Sequence, residues 1–101
     1  MFAVWEPILE SDTAPPPPGT LRRLDDPRVE QFWDPAHGTA ALLQALGRRP
    51  RCCVYENAFL WDLIAAFPPG SRWDSAPPSP ALFDGTIVRT APELEALVTR
   101  N

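Results

Sequence analysis

Two adjacent cysteines, Cys52 and Cys53, are the residues of this sequence best suited to chemistry. Arg48, Arg49 and Arg51 precede them, and nearby positive charge favours the thiolate, which attacks disulfides and binds soft metal ions. The pair therefore suits a redox role or a site for copper(I), mercury or zinc. Adjacent cysteines lack the spacing of a zinc knuckle, and two thiolates underfill a tetrahedral site. The alternative is structural, with one thiol packed inside and the other facing solvent.

The polar residues outside the cysteine pair form no recognisable catalytic motif. His37 is the single histidine, and it precedes a predicted helix, where a capping or surface role is usual. Asp62 lies inside an apolar stretch, which predicts a paired or hydrogen-bonded carboxylate if it is buried. The other acidic residues are scattered, and we expect them in salt bridges and turns. The four tryptophans are expected in the core and at its rim: Trp5, Trp33, Trp61 and Trp73.

Composition excludes several classes of function. The chain has 101 residues, enough for a single domain, and 45% of them are hydrophobic, which favours a folded chain. A net charge of −4 argues against general nucleic-acid binding. No apolar run approaches the roughly 20 residues of a membrane span, and the start lacks the features of a signal peptide. There is no Walker loop, dinucleotide fingerprint or serine elbow. We expect a cytoplasmic protein without nucleic-acid or membrane partners.

The first half of the chain is punctuated by proline. Residues 2–8 read as a buried strand, and residues 11–19, with four consecutive prolines, as an extended loop of polyproline character. A turn of helix is predicted over residues 21–24 and a short strand over residues 28–33. Residues 38–46 are predicted to be helical, with Gly47 as the stop signal.

The second half contains one ambiguous element and one clear sequence of elements. Residues 58–67 fit a strand or a helix equally well. After Pro80, an apolar run, the turn pair Asp84-Gly85 and the β-branched residues 86–88 predict an antiparallel hairpin of strands 82–83 and 86–88.

A final helix is predicted after this hairpin. Thr90 is the expected N-cap, with Glu93 completing a capping box. Leu94, Leu97 and Val98 recur at helical spacing, and we expect all three to be largely buried.

The order proline, strand, tight turn, strand, amphipathic helix resembles the C-terminal half of a thioredoxin fold. Short motifs along the chain resemble landmarks of a poorly characterised group of bacterial thioredoxin-like proteins: Trp5-Glu6-Pro7-Ile8, Asp26-Pro27-Arg28-Val29, Phe32-Trp33-Asp34-Pro35, Trp61-Asp62, Phe67-Pro68-Pro69-Gly70 and Arg72-Trp73. The resemblance implies an α/β chain with a truncated three-layer thioredoxin-like fold. It also implies a mixed sheet in a single domain over residues 1–101, a strand at 61–67, and Pro80 as the family's cis-proline.

The chain departs from that family where the family does its chemistry. Thioredoxin-like enzymes carry Cys-x-x-Cys between an N-terminal strand and the following helix. By the resemblance, the first strand, that motif and its helix have no counterpart here. Dithiol exchange is therefore not carried over, and a thiol oxidoreductase using Cys52 and Cys53 is the one enzymatic alternative.

The favoured function is a non-catalytic interaction module without a cofactor, which associates with itself or with a partner protein. A truncated sheet leaves apolar surface that proteins normally cover. A two-fold dimer is the simplest arrangement, and we expect Phe2, Val4 and residues 59–67 to contribute to it. The alternative is a thiol-based redox or soft-metal protein.

Overall fold

A computed structural model describes residues 1–51 and 60–99 of the chain. It has mixed α/β structure, and its strands form two separate two-stranded sheets within this described part. The elements in chain order are β1 (Phe2–Trp5), α1 (Pro18–Leu21) with a following 3₁₀ turn (Arg22–Leu24), β2 (Glu30–Trp33), α2 (Gly38–Gln44), β3 (Leu63–Ala66), β4 (Leu82–Gly85) and α3 (Ile87–Thr99). The chain divides into two compact units, an N-terminal unit of Met1–Thr39 and a C-terminal unit of Ala40–Asn101. The single domain over 1–101 stays a prediction.

The N-terminal unit is built on the parallel pair β1 and β2. Phe2 lies opposite Glu30 and Trp5 opposite Trp33. Gln31 ties this sheet to the preceding helix, because its side chain accepts a hydrogen bond from the Trp5 indole (2.8 Å) and donates one to the carbonyl of Leu21 (2.9 Å). The strands predicted at 2–8 and 28–33 and the helical turn at 21–24 are confirmed, with shorter strand bounds. The burial expected for the first strand is wrong, because Phe2 and Val4 are exposed.

Helix α2 confirms the helix predicted over residues 38–46, although it ends two residues earlier. The carboxylate of Asp34 accepts a hydrogen bond from the backbone N–H of Thr39 at 2.7 Å, which satisfies one free donor of the first turn. Gly47 follows with a φ of +69°, the left-handed conformation that glycine adopts after a helix.

The C-terminal unit contains the antiparallel pair β3 and β4, with Leu63 opposite Gly85 and Ala66 opposite Leu82. The ambiguous stretch is therefore a strand over 63–66, whereas residues 58 and 59 lie outside the described part. Helix α3 follows β4 and lies in contact with both strands.

The predicted hairpin is wrong. Phe83 lies in β4, Ile87 begins α3, and the partner of β4 is β3. The β-branched residues 86–88 lie at the start of α3, because side-chain oxygens accept hydrogen bonds from the N–H groups that the first turn of a helix leaves free. The Asp62 carboxylate accepts from Ile87 at 2.9 Å, and the Thr86 hydroxyl accepts from Arg89 at 3.3 Å.

The predicted capping box is also wrong. Thr86 holds the N-cap position, and its carbonyl accepts the hydrogen bond from the N–H of Thr90 at 2.9 Å. Thr90 itself is fully buried inside α3. Glu93 accepts a hydrogen bond from Arg51, not from a capping N–H.

Two further expectations need correction. On α3, Leu94 and Leu97 are half-buried, but Val98 is 64% exposed. The peptide bond before Pro80 is trans, since the cis bond among the described residues joins Gly85 and Thr86. Pro80 is nevertheless buried at the start of β4.

Candidate functional site

One face of the β1–β2 sheet is apolar and open to solvent. Alternation along the strands turns Ala3 and Trp5 inward and leaves Phe2, Val4 and Phe32 outward, with exposed fractions of 71%, 37% and 47%. The rings of Phe2 and Phe32 meet edge to face, with centroids 5.8 Å apart and an interplanar angle of 62°. We call Phe2, Val4 and Phe32 the aromatic face.

This exposure is unusual for the architecture. Parallel sheets are normally covered on both faces, and a lone two-stranded sheet is marginally stable. Within residues 1–39, all of which the structure describes, no side chain is fully buried. The exposed large hydrophobic residues of this unit are Met1, Phe2, Val4, Ile8, Leu9, Leu24 and Phe32. Of these, Phe2, Val4 and Phe32 lie side by side on one face of the sheet, which makes that face a candidate site of association.

The predicted contribution of residues 59–67 to that surface finds less support. Leu60 is only 5% exposed, and residues 61–67 are half-buried. Phe59 lies outside the described residues. The aromatic face therefore consists of two predicted residues, Phe2 and Val4, and one that the sequence analysis missed. Phe32 lies on β2 two residues after Glu30, and the parallel register with β1 places it beside Val4.

The C-terminal unit contains a charged cluster of Arg51, Asp84 and Glu93. The Asp84 side chain is 12% exposed; its carboxylate accepts hydrogen bonds from the backbone N–H of Arg51 (2.7 Å), from that of Gly85 (2.9 Å) and from the Arg51 guanidinium. The guanidinium also donates to Glu93 at 2.6 Å. Burial acts to raise the pKa of Asp84, but the hydrogen bonds from Arg51 and Gly85 outweigh it and lower that pKa. The hydrogen bonds to Glu93 and Asp84 raise the pKa of Arg51.

The sequence does not predict this cluster, because the pair Asp84-Gly85 is typical of a turn. A signal was present: a carboxylate directly after Leu82 and Phe83, in an apolar run, must find donors if the run is buried. Its partner Arg51 lies 33 residues away, beyond the range of local patterns.

Cys52 and Cys53 themselves lie outside the described residues. What the structure does describe is the charge before them. Arg51 has its charge compensated by two carboxylates, whereas Arg48 donates to a neutral group, the hydroxyl of Ser79, at 3.3 Å. The thiolate-stabilising role of the three arginines stays a prediction.

His37 lies close to a carboxylate in the N-terminal unit. Its Nδ1 is 3.5 Å from Oε2 of Glu6, and the two side chains are 24% and 12% exposed. Its φ of +57° is left-handed, which is uncommon for a non-glycine residue. The capping role expected near α2 belongs to Asp34, whose pKa is lowered chiefly by the hydrogen bond from the Thr39 N–H. No group of three metal-ligating side chains occurs among the described residues.

Asp62 has the hydrogen-bonded role predicted for it, since it binds the first N–H of α3. Three of the tryptophans are half-buried, and the fourth, Trp73, is 48% exposed with its ring against the edge of Phe67, centroids 5.0 Å apart. The predicted rim positions are therefore confirmed, whereas no tryptophan lies in the core.

An open depression of about 400 Å³ lies where α3 meets β4. Its lining is mostly aliphatic, and its one carboxylate, that of Glu93, is hydrogen-bonded to Arg51. The lining residues are Ala81, Leu82, Pro92, Glu93, Ala96 and Leu97.

The chain matches no family model, no curated protein and no solved structure. Within the described residues, no helix has the length and apolarity that crossing a membrane requires.

Proposed function

We propose that this chain is a non-catalytic association module that pairs with a second copy of itself through the aromatic face. The observation that carries the proposal is the exposure of Phe2, Val4 and Phe32 on one side of a parallel two-stranded sheet. Burying that face removes apolar surface from water and supports strands that are too few to be stable alone.

The composition of the face favours a like partner. Interface cores are enriched in aromatic residues and depleted of charge. Phe2, Val4 and Phe32 carry no charge, and Glu30 lies at the end of the same face, where a polar rim belongs. Two copies related by a two-fold axis would stack their aromatic faces, adding edge-to-face ring contacts to the one within each copy.

The thioredoxin-like fold belongs to this proposal. Its support is the order of elements, in which strand, helix and parallel strand are followed by a helix, an antiparallel strand pair and a final helix. β3, β4 and α3 also follow the order strand, strand, helix, although these strands are not the pair 82–83 and 86–88 that the resemblance implied. The family's Cys-x-x-Cys motif does not occur in the sequence, whose two cysteines, Cys52 and Cys53, are adjacent. A non-catalytic role agrees with that absence.

Sedimentation equilibrium from about one to a few hundred micromolar tests the proposal, since interfaces of modest size give dissociation constants in this range. We expect a dimer whose dissociation constant rises at least about tenfold in Phe32→Ser, because an exposed ring is replaced by a hydroxyl on the face.

The matched control is Val88→Ser. Val88 is 86% exposed on α3, so this variant also replaces an exposed apolar side chain by serine, but in the other unit. Its dimerisation should equal that of the wild type. A wild-type chain that stays monomeric over the whole range contradicts the proposal, as does equal weakening by both variants.

A further inference from the structure

We call residues 14–18 the proline ridge, and their sequence favours a polyproline II conformation over the prolines that precede α1, residues 15–17. Residues 14–17 each precede a proline, which disfavours the helical conformation, and each proline ring fixes its own φ near −65°. Pro17 has φ −64° and ψ 157°, the polyproline II values. Pro18 then starts α1, at the position where a missing N–H costs nothing.

The ridge has one edge towards its own unit and two edges towards solvent. A polyproline II helix has three residues per turn, so Pro15 and Pro18 share one edge, and Ala14 and Pro17 share a second. All four are exposed, whereas Pro16, on the third edge, is half-buried. Pro15 and Pro18 thus have the PxxP spacing by which such segments dock against aromatic side chains.

Hydrogen bonds hold the chain on both sides of the ridge. Before it, the Asp12 carboxylate accepts from the N–H groups of Ile8 (2.9 Å) and Leu9 (2.8 Å). After it, the carbonyl of Leu21 accepts from Gln31 (2.9 Å). A segment restrained at both ends and stiffened by proline loses little conformational entropy on binding.

The aromatic face alone is too small for a stable dimer. Phe2, Val4 and Phe32 together expose about 300 Å² of side chain, taking about 200 Å² for a whole aromatic side chain. A standard interface needs about 800 Å² from each partner. Further apolar surface must therefore enter the contact.

From these observations we infer that the proline ridge of one copy docks on the aromatic face of the other. This inference rests on the proposed self-association and specifies its contact. A two-fold axis repeats the contact, once with the ridge of each copy, so the apolar area buried in the dimer is twice that of a single contact. Proline rings lie against Phe2 and Phe32, and neither group has a polar atom that docking would leave without a partner.

The test compares proline variants that change different edges of the ridge. The double variant Pro15→Ala/Pro17→Ala removes one ring from each solvent-facing edge, and we expect the dissociation constant of the dimer to rise about tenfold. The control, Pro16→Ala, removes a ring from the edge towards its own unit, and we expect a change under about twofold. Circular dichroism and thermal melting check that each variant folds.

A double-mutant cycle with Phe32→Ser then tests direct contact. If the ridge lies on Phe32, either change alone breaks the same contact. The dissociation constant of the combined variant then rises by less than the product of the two separate rises. Independent, multiplicative effects would overturn the inference. So would a dimer that Phe32→Ser weakens while the double proline variant matches Pro16→Ala; in that case the proposed self-association would stand. A monomeric wild type would remove both.

Discussion

Asp84 shows at the scale of one residue how this chain keeps a charge inside an apolar strand. The residue is 9% exposed between Phe83 and Gly85 in β4. A carboxylate there is tolerated because backbone and side-chain N–H groups of Arg51 and the N–H of Gly85 donate to it. Removing one partner of such an arrangement costs more than forming it contributes, because the remaining polar groups stay buried without their full set of partners.

Replacing Asp84 by Asn is expected to lower the free energy of unfolding by about 1–2 kcal/mol at pH 7, because the negative charge that pairs with Arg51 is lost. The cost is no larger because the guanidinium of Arg51 is half-exposed and solvent screens it. The lowered pKa of Asp84 sets the pH dependence. Its contribution is present above the unfolded value of about 4 and is lost as the pH falls through the folded value. Urea titrations from pH 7 to about pH 2 should therefore show the wild type and the variant converging in acid.

The control for this prediction is Asp26→Asn. Asp26 forms an ion pair with Arg28 at 2.8 Å, but the Arg28 side chain is 87% exposed. Solvent screens this pair, so its loss should change stability little or not at all. Equal effects at both positions would show that the burial of Asp84 does not matter.

The cysteine pair carries a second prediction at this scale. We expect one of Cys52 and Cys53 to be alkylated faster than a free cysteine at neutral pH and the other slowly. Arg48→Gln should slow the fast thiol, because Arg48 donates to the neutral Ser79 hydroxyl and its positive charge is not compensated by that group. Timed alkylation followed by mass spectrometry measures both rates. Two thiols that react only after unfolding would leave the pair structural and remove the redox and metal hypotheses together.

Among the elements, those with a local signal were predictable. An apolar run predicted β1, period-two alternation predicted β2, and a leucine stripe closed by Gly47 predicted α2. The exposure of Phe32 on β2 was not predictable, because alternation says which residues share a face and not whether anything covers that face. Periodicity also left residues 58–67 ambiguous between helix and strand, and the pairing of β3 with β4 shows that residues 63–66 form a strand.

The prediction of a hairpin was wrong because a hydrogen bond from a distant residue outweighs two local propensities. Asp84-Gly85 and the β-branched residues 86–88 are typical of a turn and a returning strand. Against them, Asp62, 25 residues earlier, places its carboxylate on the N–H of Ile87. Tertiary hydrogen bonding of this kind overrides weak propensities, and no reading of residues 80–90 alone reveals it.

The cap of α3 gives a prediction at the scale of this element. Thr86→Val removes the hydroxyl that accepts from Arg89 and should cost about 1 kcal/mol of stability. Thr90→Val makes the same chemical change inside the helix. Among the described residues the buried hydroxyl of Thr90 has no hydrogen-bond partner, so its removal should be neutral or stabilising.

Chemical denaturation of both variants measures this difference. If Thr90 were the N-cap that the sequence alone predicted, the order of the two effects would reverse.

For the whole molecule, self-association makes stability depend on concentration. A dimer that dissociates on unfolding is stabilised by mass action, so the midpoint of thermal unfolding should rise with protein concentration. Phe32→Ser should flatten that dependence, and Val88→Ser should not. Melting curves over a hundredfold range of about 2 to 200 µM give the measurement. A midpoint independent of concentration in the wild type would contradict association through the aromatic face.

The association site was partly predictable at this scale. Phe2 and Val4 follow from an apolar strand with nothing obvious to cover it, whereas Phe32 required the parallel register of β1 and β2. The cluster of Arg51, Asp84 and Glu93 joins three separate parts of the chain, and only the folded structure brings them together.

The pairing of Arg51 with Asp84 also constrains how this sequence can change over generations. Asp84 binds both the backbone and the side chain of residue 51, so a neutral replacement at position 84 leaves an arginine without its buried counter-ion. Substitutions at these two positions, 33 residues apart, should therefore be inherited together. Glu93 pairs with the same guanidinium from a half-exposed position, so its substitution should cost little stability. Among descendants of this sequence, positions 51 and 84 should covary, whereas position 93 should vary independently of both.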